Sequence, residues 1–397
     1  MSTQAHTDRD HALLSASQAE RWLNCPPSAR LQEGIPDQRS EYAEEGTTAH
    51  ELAEATLRRR ILPCNSKQRA ELEKRIQEIK ASKYYNAEME NTIQGYVELV
   101  CERFMEAVNR SSDAVVLLEE RLDFSEWVPG GFGTGDVVLI SDGVMEIIDL
   151  KYGKGVPVSA IDNPQMRLYA LGAWASHNWL YEIHEIRMTI VQPRLDNIST
   201  DIISIKDLLE WGASIKPIAK LAWEGKGDFK AGDHCRWCKV KAKCRTRAKA
   251  NMEALKYEFQ DPTLLSHEEI GSILFIANQL KIWIKDVEDY AQEQALKGKH
   301  IPQWKLVEGK SNRTITDPEA LIARLIEAGF EKEQITETKL LGISKLEKVV
   351  QKKKLAELGG DLIVKPPGKP VLVPESDPRP ELNSIENDFA DIDFKEE

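Results

Sequence analysis

Gly133 to Gly155 reads GTGDVVLISDGVMEIIDLKYGKG, and two apolar runs, VVLI and VMEII, flank Asp142-Gly143 in it. Asp-Gly between apolar runs is a type I′ hairpin signal. With those two residues at the turn, Ser141 faces Val144, Leu139 faces Glu146, Val138 faces Ile147 and Asp136 faces Asp149. Directly opposed residues hold their Cβ atoms about 5 Å apart. Alternation along a strand puts Asp149 and Lys151 on the face that also carries Val138, Ile140, Met145 and Ile147. Two carboxylates facing each other beside a core repel unless a proton or cation lies between them. Lys151 supplies one positive charge, and a divalent metal would supply more. The plainer alternative is a salt-bridge cluster at the rim of a sheet.

Working outward, AVVLLEERL (Ala114–Leu122), DVVLIS, VMEIIDLK and EIRMTIVQP (Glu185–Pro193) have the β-branched content and turn punctuation of strands. Between the last two lies DNPQMRLYALGAWAS, a helix with Asn163 as its cap and Pro164 at its first position. This order predicts a mixed sheet with a helical crossover. Upstream, Ser15 to Arg110 reads as helical, broken at Pro26-Pro27, with Thr48 and Glu51 in capping-box spacing. Ile93, Val97, Val100, Cys101, Phe104 and Val108 recur at helical spacing, which makes Cys101 a packing residue. Helices return from Asp207, again over His267–Leu296, and in a small module capped by Asp317, before a proline-rich, acidic end. The domains expected are a helical region over 1–112, a core over 113–250, a helical module over 251–375 and an acidic disordered tail over 376–397.

The 397 residues carry a formal net charge of −12, with 41% hydrophobic and 30% charged residues, ordinary values for a soluble globular protein. The polar opening MSTQAHTDRDHALLS is no signal peptide, and no apolar run reaches the roughly 20 residues of a membrane span. A cytoplasmic protein without membrane contact is expected. The total charge argues mildly against a general nucleic-acid binder, yet CRWCKVKAKCRTRAKA (Cys235–Ala250) is strongly basic. A local basic surface matters more for DNA than the total, and solvated surface charge is the plain alternative. Cys235, Cys238 and Cys244 form C-x2-C-x5-C, and three such cysteines need a fourth ligand, for which Cys25 is the obvious donor. His234 could replace a cysteine in a zinc site. Cys64 fits no motif.

Asp136, then Asp149-Leu150-Lys151, then Gln165 and Tyr169 at Q-x-x-x-Y spacing resemble the PD-(D/E)XK nucleases. Gly46-Thr47-Thr48-Ala49-His50 resembles the G-T-x-x-H helix of their RecB-like branch. One cysteine ahead of the core and three behind it match the iron–sulfur members, such as the AddB nuclease domain and the CRISPR-adaptation exonucleases. The resemblance spans about Ser15 to Arg247, and its strength lies in the ordered set of motifs. It implies an α/β (α+β mixed), restriction-endonuclease-like fold, with a central mixed β-sheet flanked by helices and an Fe–S staple. By the same resemblance Asp136, Asp149, His50 and the backbone carbonyl of Leu150 bind Mg2+ or Mn2+. Lys151 orients or deprotonates the attacking water, with Gln165 and Tyr169 holding Lys151 or a DNA phosphate. Simple packing is the alternative for Tyr169, and an i,i+4 ion pair with Glu54 the alternative for His50. Glu120 is the candidate for a further carboxylate, with Glu119 beside it not excluded. Cys25, Cys235, Cys238 and Cys244 are implied to hold a 4Fe–4S cluster, with Zn2+ as the competitor. Lys239, Lys241, Lys243, Arg245 and Arg247 are the expected DNA contacts. The whole implies a phage or prophage exonuclease in a bacterial cytoplasm, resecting DNA ends for a single-strand annealing or single-strand-binding partner. A non-catalytic DNA-binding or assembly protein and a zinc-stapled DNA-binding module are the alternatives.

Overall fold

The computed structural model describes residues 12–36, 41–252 and 266–304. Its chain divides into two compact units, Met1–Ala291 and Gln292–Glu397. In the first, two short helices, α1 (Ala19–Asn24) and α2 (Ser28–Leu31), precede three long ones, α3 (Glu41–Ile61), α4 (Ser66–Lys80) and α5 (Ala87–Arg110). The sheet follows as β1 (Val115–Asp123), β2 (Phe132–Ser141), β3 (Gly143–Leu150), the crossover helix α6 (Pro164–His177), β4 (Ile183–Gln192) and β5 (Asn197–Ser204). Then come α7 (Ile205–Glu224), α8 (Arg245–Met252) and α9 (His267–Leu296).

The sheet order is β1-β2-β3-β4-β5. β1, β2 and β3 form an antiparallel meander, β3 and β4 run parallel, and β4 and β5 run antiparallel. The mixed sheet flanked by helices is the architecture the sequence predicts. The hairpin register is also as predicted, from Val137↔Ile148 to Ser141↔Val144, with Gly143 at φ +71 in the turn. Asn163 caps α6 by accepting the Gln165 and Met166 N–H groups, with Pro164 at its first position.

Two elements depart from expectation. β5, whose apolar residues are interrupted by Ser199, Thr200 and Asp201, adds an edge strand beyond the four expected, with alternate residues exposed. Thr48 is no cap, since α3 already runs from Glu41 and the Thr48 hydroxyl donates to the Glu44 carbonyl within the helix. The capping box belongs to α4, where Asn65 and Gln68 exchange bonds.

Alternation along β2 and β3 sorts the core into two layers. Val138, Ile140, Met145 and Ile147 pack with Trp22, Met166, Leu168, Leu171, Leu208 and Ile215 of α1, α6 and α7. Val137, Leu139, Ile148 and Leu150 pack with Leu52, Ile93, Tyr96 and Val97 of α3 and α5. Strands buried on both faces read as near-continuous apolar runs, as VVLI and VMEII do. Cys101 packs against the second layer, as its spacing predicts, and Cys64 is half-buried with its thiol on the Arg58 carbonyl. In the second unit the described residues close α9 with Gly298 at φ +79 and the Lys299 N–H on the Gln294 carbonyl, a glycine-type stop. The Asp317-capped module and the acidic tail lie outside the described residues. No helix among the described residues is long and apolar enough to cross a membrane.

Candidate metal centre

The acidic site forms at the open end of the β2–β3 ladder, with Asp136 midway along β2 and Asp149 near the end of β3. The hairpin ladder stops at Val137↔Ile148, and just past it the Leu150 N–H donates to Asp136 Oδ2 at 2.7 Å. That bond aims the other oxygen, Oδ1, at α3, where His50 Nδ1 lies 3.4 Å away. Arg58 holds α3 against β1, donating to the Leu118 carbonyl at 2.9 Å and to Glu54 at 2.7 Å. Glu54 therefore serves Arg58, and His50 turns to Asp136. Near the start of α3, Arg194 binds Glu45 at 3.0 Å and Glu88 at 3.5 Å, tying α3 and α5 to the end of β4.

The next residue on β1 corrects the sequence reading. Glu119, not Glu120, joins the site: His50, Glu119 and Asp136 each bring a ligand atom within 4.8 Å of the others. Glu119 has φ +52, a left-handed conformation that is costly outside glycine, and it interrupts the pairing between Leu118↔Val137 and Glu120↔Gly135. Glu120 stays on the ladder. Burial raises the Glu119 carboxyl to about 7, with Asp136 adding to the effect. His50 rises to about 9, because its carboxylate neighbours, Asp136 foremost, outweigh a desolvation that would lower it.

Asp149, Lys151 and Gln165 close a ring on the other side. Lys151 Nζ lies 2.9 Å from Asp149 Oδ2 and donates to Gln165 Oε1 at 3.1 Å. Gln165 Nε2 donates to Asp149 Oδ1 at 3.2 Å and reaches the Tyr169 hydroxyl at 3.4 Å. Asp149 is buried, and its carboxyl is shifted upward by desolvation despite the lysine. Burial would lower the Lys151 ammonium, but Asp149 and Asp136 hold it above its ordinary value. Asp149 Oδ2 is buried with Lys151 Nζ as its ion-pair partner and no other donor on it, which leaves this oxygen with unused acceptor capacity. Tyr169 belongs to the core as well as to this ring, and its missing neighbour is glycine: a Cβ on Gly133 would sit 2.7 Å from the Tyr169 ring. The glycines before Asp136 thus make room for packing. One further residue escapes the sequence reading. Tyr96 on α5 is fully buried with an unpartnered hydroxyl, and desolvation plus Asp136, Asp149 and Glu119 raise its pKa well above normal.

The donor set fits a hard divalent cation: carboxylates, an imidazole and an open acceptor on a buried oxygen. Asp136, Glu119 and His50 would be first to hold it, with Asp149 beside them.

Cys25, Cys235, Cys238 and Cys244 line one small cavity together with Arg21, His234, Phe229 and Arg247. Burial would raise the Cys25 thiol, but His234 and the backbone of Lys230 and Ser28 bring it below the ordinary value. His234 Nε2 lies 2.9 Å from the Lys230 carbonyl, and the interaction with Cys25 raises the imidazole above its ordinary value. All six cysteines are free thiols, and among the described residues no cysteine joins a group of three ligand atoms within 4.8 Å. Four thiols around one cavity suit a thiolate-bound group.

The five expected DNA contacts divide. Arg247 is buried, with Nη1 at 2.6 Å from Asp286, and Lys241 Nζ lies 2.8 Å from the same carboxylate. Those two cations hold α9 to the cysteine segment and are not available to a polyanion. Lys239 donates to the Ile35 carbonyl at 2.6 Å, while Lys243 and Arg245 are exposed.

The family described as "Protein of unknown function (DUF2800)" matches residues 11–380. A solved structure titled "Crystal structure of SSO0001" is similar at 16% identity over 57% of this chain and 96% of that one, with a TM-score of 0.21. A likeness at that level carries no argument about function.

Proposed function

The chain belongs to the DUF2800 family, and we propose that it is a metal-dependent deoxyribonuclease that hydrolyses phosphodiester bonds. The observation that carries the reading is the convergence of His50, Glu119 and Asp136 within 4.8 Å, beside the buried Asp149–Lys151 pair. A carboxylate-rich cation site with an adjacent fixed ammonium is the equipment of metal-assisted hydrolysis. Mg2+ or Mn2+, when bound, supplies a water of lowered pKa and offsets charge on the phosphoryl oxygens.

The chain's own residues do the rest. With Glu119 raised to about 7 and His50 to about 9, both would have to give up protons to serve as ligands to a cation. Asp149 and Gln165 hold Lys151 Nζ in one position, so its ammonium meets a phosphate oxygen or the attacking water without first being ordered. Tyr169 and Tyr96 are buried within electrostatic reach of Asp136, Asp149 and Glu119. The cysteine cavity joins the segment before α2 to the segment before α8, and a 4Fe–4S cluster there would staple the two ends of the nuclease core. Action on DNA ends in phage recombination, with a single-strand annealing or single-strand-binding partner, follows from the resemblance alone and belongs to the same proposal.

The test is cleavage of 5′- and 3′-labelled single- and double-stranded DNA by the purified full chain, with Mn2+, with Mg2+ and with neither. Divalent-dependent product supports the reading. No product under any condition, with DNA binding intact, makes the chain a non-catalytic DNA-binding protein instead. A brown sample absorbing near about 400 nm supports the cluster, and a colourless, zinc-containing one replaces it with zinc.

A further inference from the structure

The segment between the buried cysteines presents a group that cleavage chemistry does not use. Trp237 is 76% exposed, although its neighbours Cys235 and Cys238 are buried. It ends the 3-10 turn Asp233–Trp237, which is closed by the Cys238 N–H on the Cys235 carbonyl at 3.0 Å and anchored by the buried His234. The indole is therefore displayed on a backbone fixed from below. The Arg236 guanidinium lies 5.4 Å from its ring centroid, within cation–π range. Lys243 and Arg245, exposed and without an ion-pair partner among the described residues, follow in the same run. No acid occurs from Cys235 to Ala250, in a chain whose net charge is −12.

We infer that Trp237 is a stacking platform for an unpaired nucleobase, with Arg236, Lys243 and Arg245 meeting the backbone of the same single strand. The inference rests on the proposed nuclease reading and adds to it a subsite for single-stranded nucleic acid. Charge complementarity selects a polyanion. Within Cys235–Ala250 Trp237 is the one aromatic, and its indole face suits a planar ligand; an amphipathic membrane helix would offer an apolar face, whereas Val240 of this run is buried. An indole face accepts any base, and base–aromatic stacking is worth about 1–3 kcal/mol per base. A base inside a duplex is already stacked and cannot use it.

The experiment measures binding of the purified full chain to a labelled single-stranded oligonucleotide and to a blunt duplex of the same length, without divalent metal. Trp237→Ala should weaken single-strand binding about 5- to 100-fold and leave duplex binding unchanged, while Trp237→Phe keeps most of the affinity. Alanine at Arg236, Lys243 and Arg245 should each reduce the salt slope of single-strand binding by about 0.7. Wild-type-like single-strand binding by Trp237→Ala, an equal loss on both substrates, or a Trp237-dependent preference for anionic vesicles or polyglutamate over the oligonucleotide would each overturn the subsite. The two proposals fail separately. Cleavage by a wild-type protein whose Trp237→Ala variant binds normally removes the subsite alone; Trp237-dependent binding without cleavage removes the nuclease alone.

Discussion

Lys151 Nζ lies 2.9 Å from Asp149 Oδ2, and the two sit on either side of the last residue of β3. Gln165 bridges both, accepting from Lys151 and donating to Asp149. Lys151→Ala removes the ammonium 2.9 Å from the buried Asp149 carboxylate. Divalent-dependent turnover is expected to fall by at least about 100-fold, as for other positioned proton-transfer or charge-stabilising groups. The measurement is the single-turnover rate on end-labelled DNA, with the melting temperature and circular dichroism of the variant as folding controls. Undiminished turnover in a folded sample would remove Lys151 from the mechanism.

Glu119 and Glu120 are neighbours with opposite fates, and one pair of variants separates them. Glu119→Gln takes a ligand oxygen from the group with His50 and Asp136, and Mn2+ affinity should drop by about 10- to 100-fold or more. Glu120→Gln should leave it unchanged, because Glu120 keeps its place on the ladder opposite Gly135. Calorimetric Mn2+ titration reads both, and a loss confined to Glu120→Gln would return the site to that residue.

What was legible in the chain follows from local chemistry. Asp142-Gly143 sets the hairpin register through its backbone preference alone, and the register brings Asp136 and Asp149 to the same end of the sheet. Asn163-Pro164 marks the start of α6, which fixes Gln165 and Tyr169 one turn apart on it. Glu119 was not legible in the same way. Its selection over Glu120 depends on a positive φ that no glycine or asparagine announces. Lys241 and Arg247 look like surface cations because their partner, Asp286, is about 40 residues away along the chain. Charge density marks a patch as basic, but only tertiary pairing decides which members remain free.

Gly133 makes a sharper test of the packing beneath the site. A methyl group there would sit 2.7 Å from the Tyr169 ring, too close without displacement. Gly133→Ala should destabilise the protein by about 1–3 kcal/mol, as overpacking does, and should lower turnover by moving Tyr169 and with it Gln165. Gly153→Ala, with no atom within 4 Å of its added carbon, is the control and should be near neutral in urea denaturation. Equal midpoints for the two variants would mean that Tyr169 yields freely.

Asp286 carries the pH dependence that can be read apart from the candidate metal site. Burial would raise its carboxyl, but Lys241 and Arg247 outweigh that and hold it below the ordinary carboxylate value. A carboxyl depressed in the folded state contributes stability that is fully present above its unfolded pKa of about 3.9. That contribution is lost as the pH falls through the lower folded value, when the group takes up a proton and Arg247 stays buried without its countercharge. The loss should therefore appear below about pH 4 and be absent between pH 5 and 8. Asp286→Asn imposes the low-pH state at every pH. It should cost up to about 3 kcal/mol at neutral pH, since breaking one side of a buried pair strands the other. It should also flatten the acid limb of the stability curve, and hydrogen exchange should report faster opening of α8 and α9 than of the sheet. An Asp286→Asn protein with wild-type stability at pH 7 and an unchanged acid limb would show that Arg247 finds another partner.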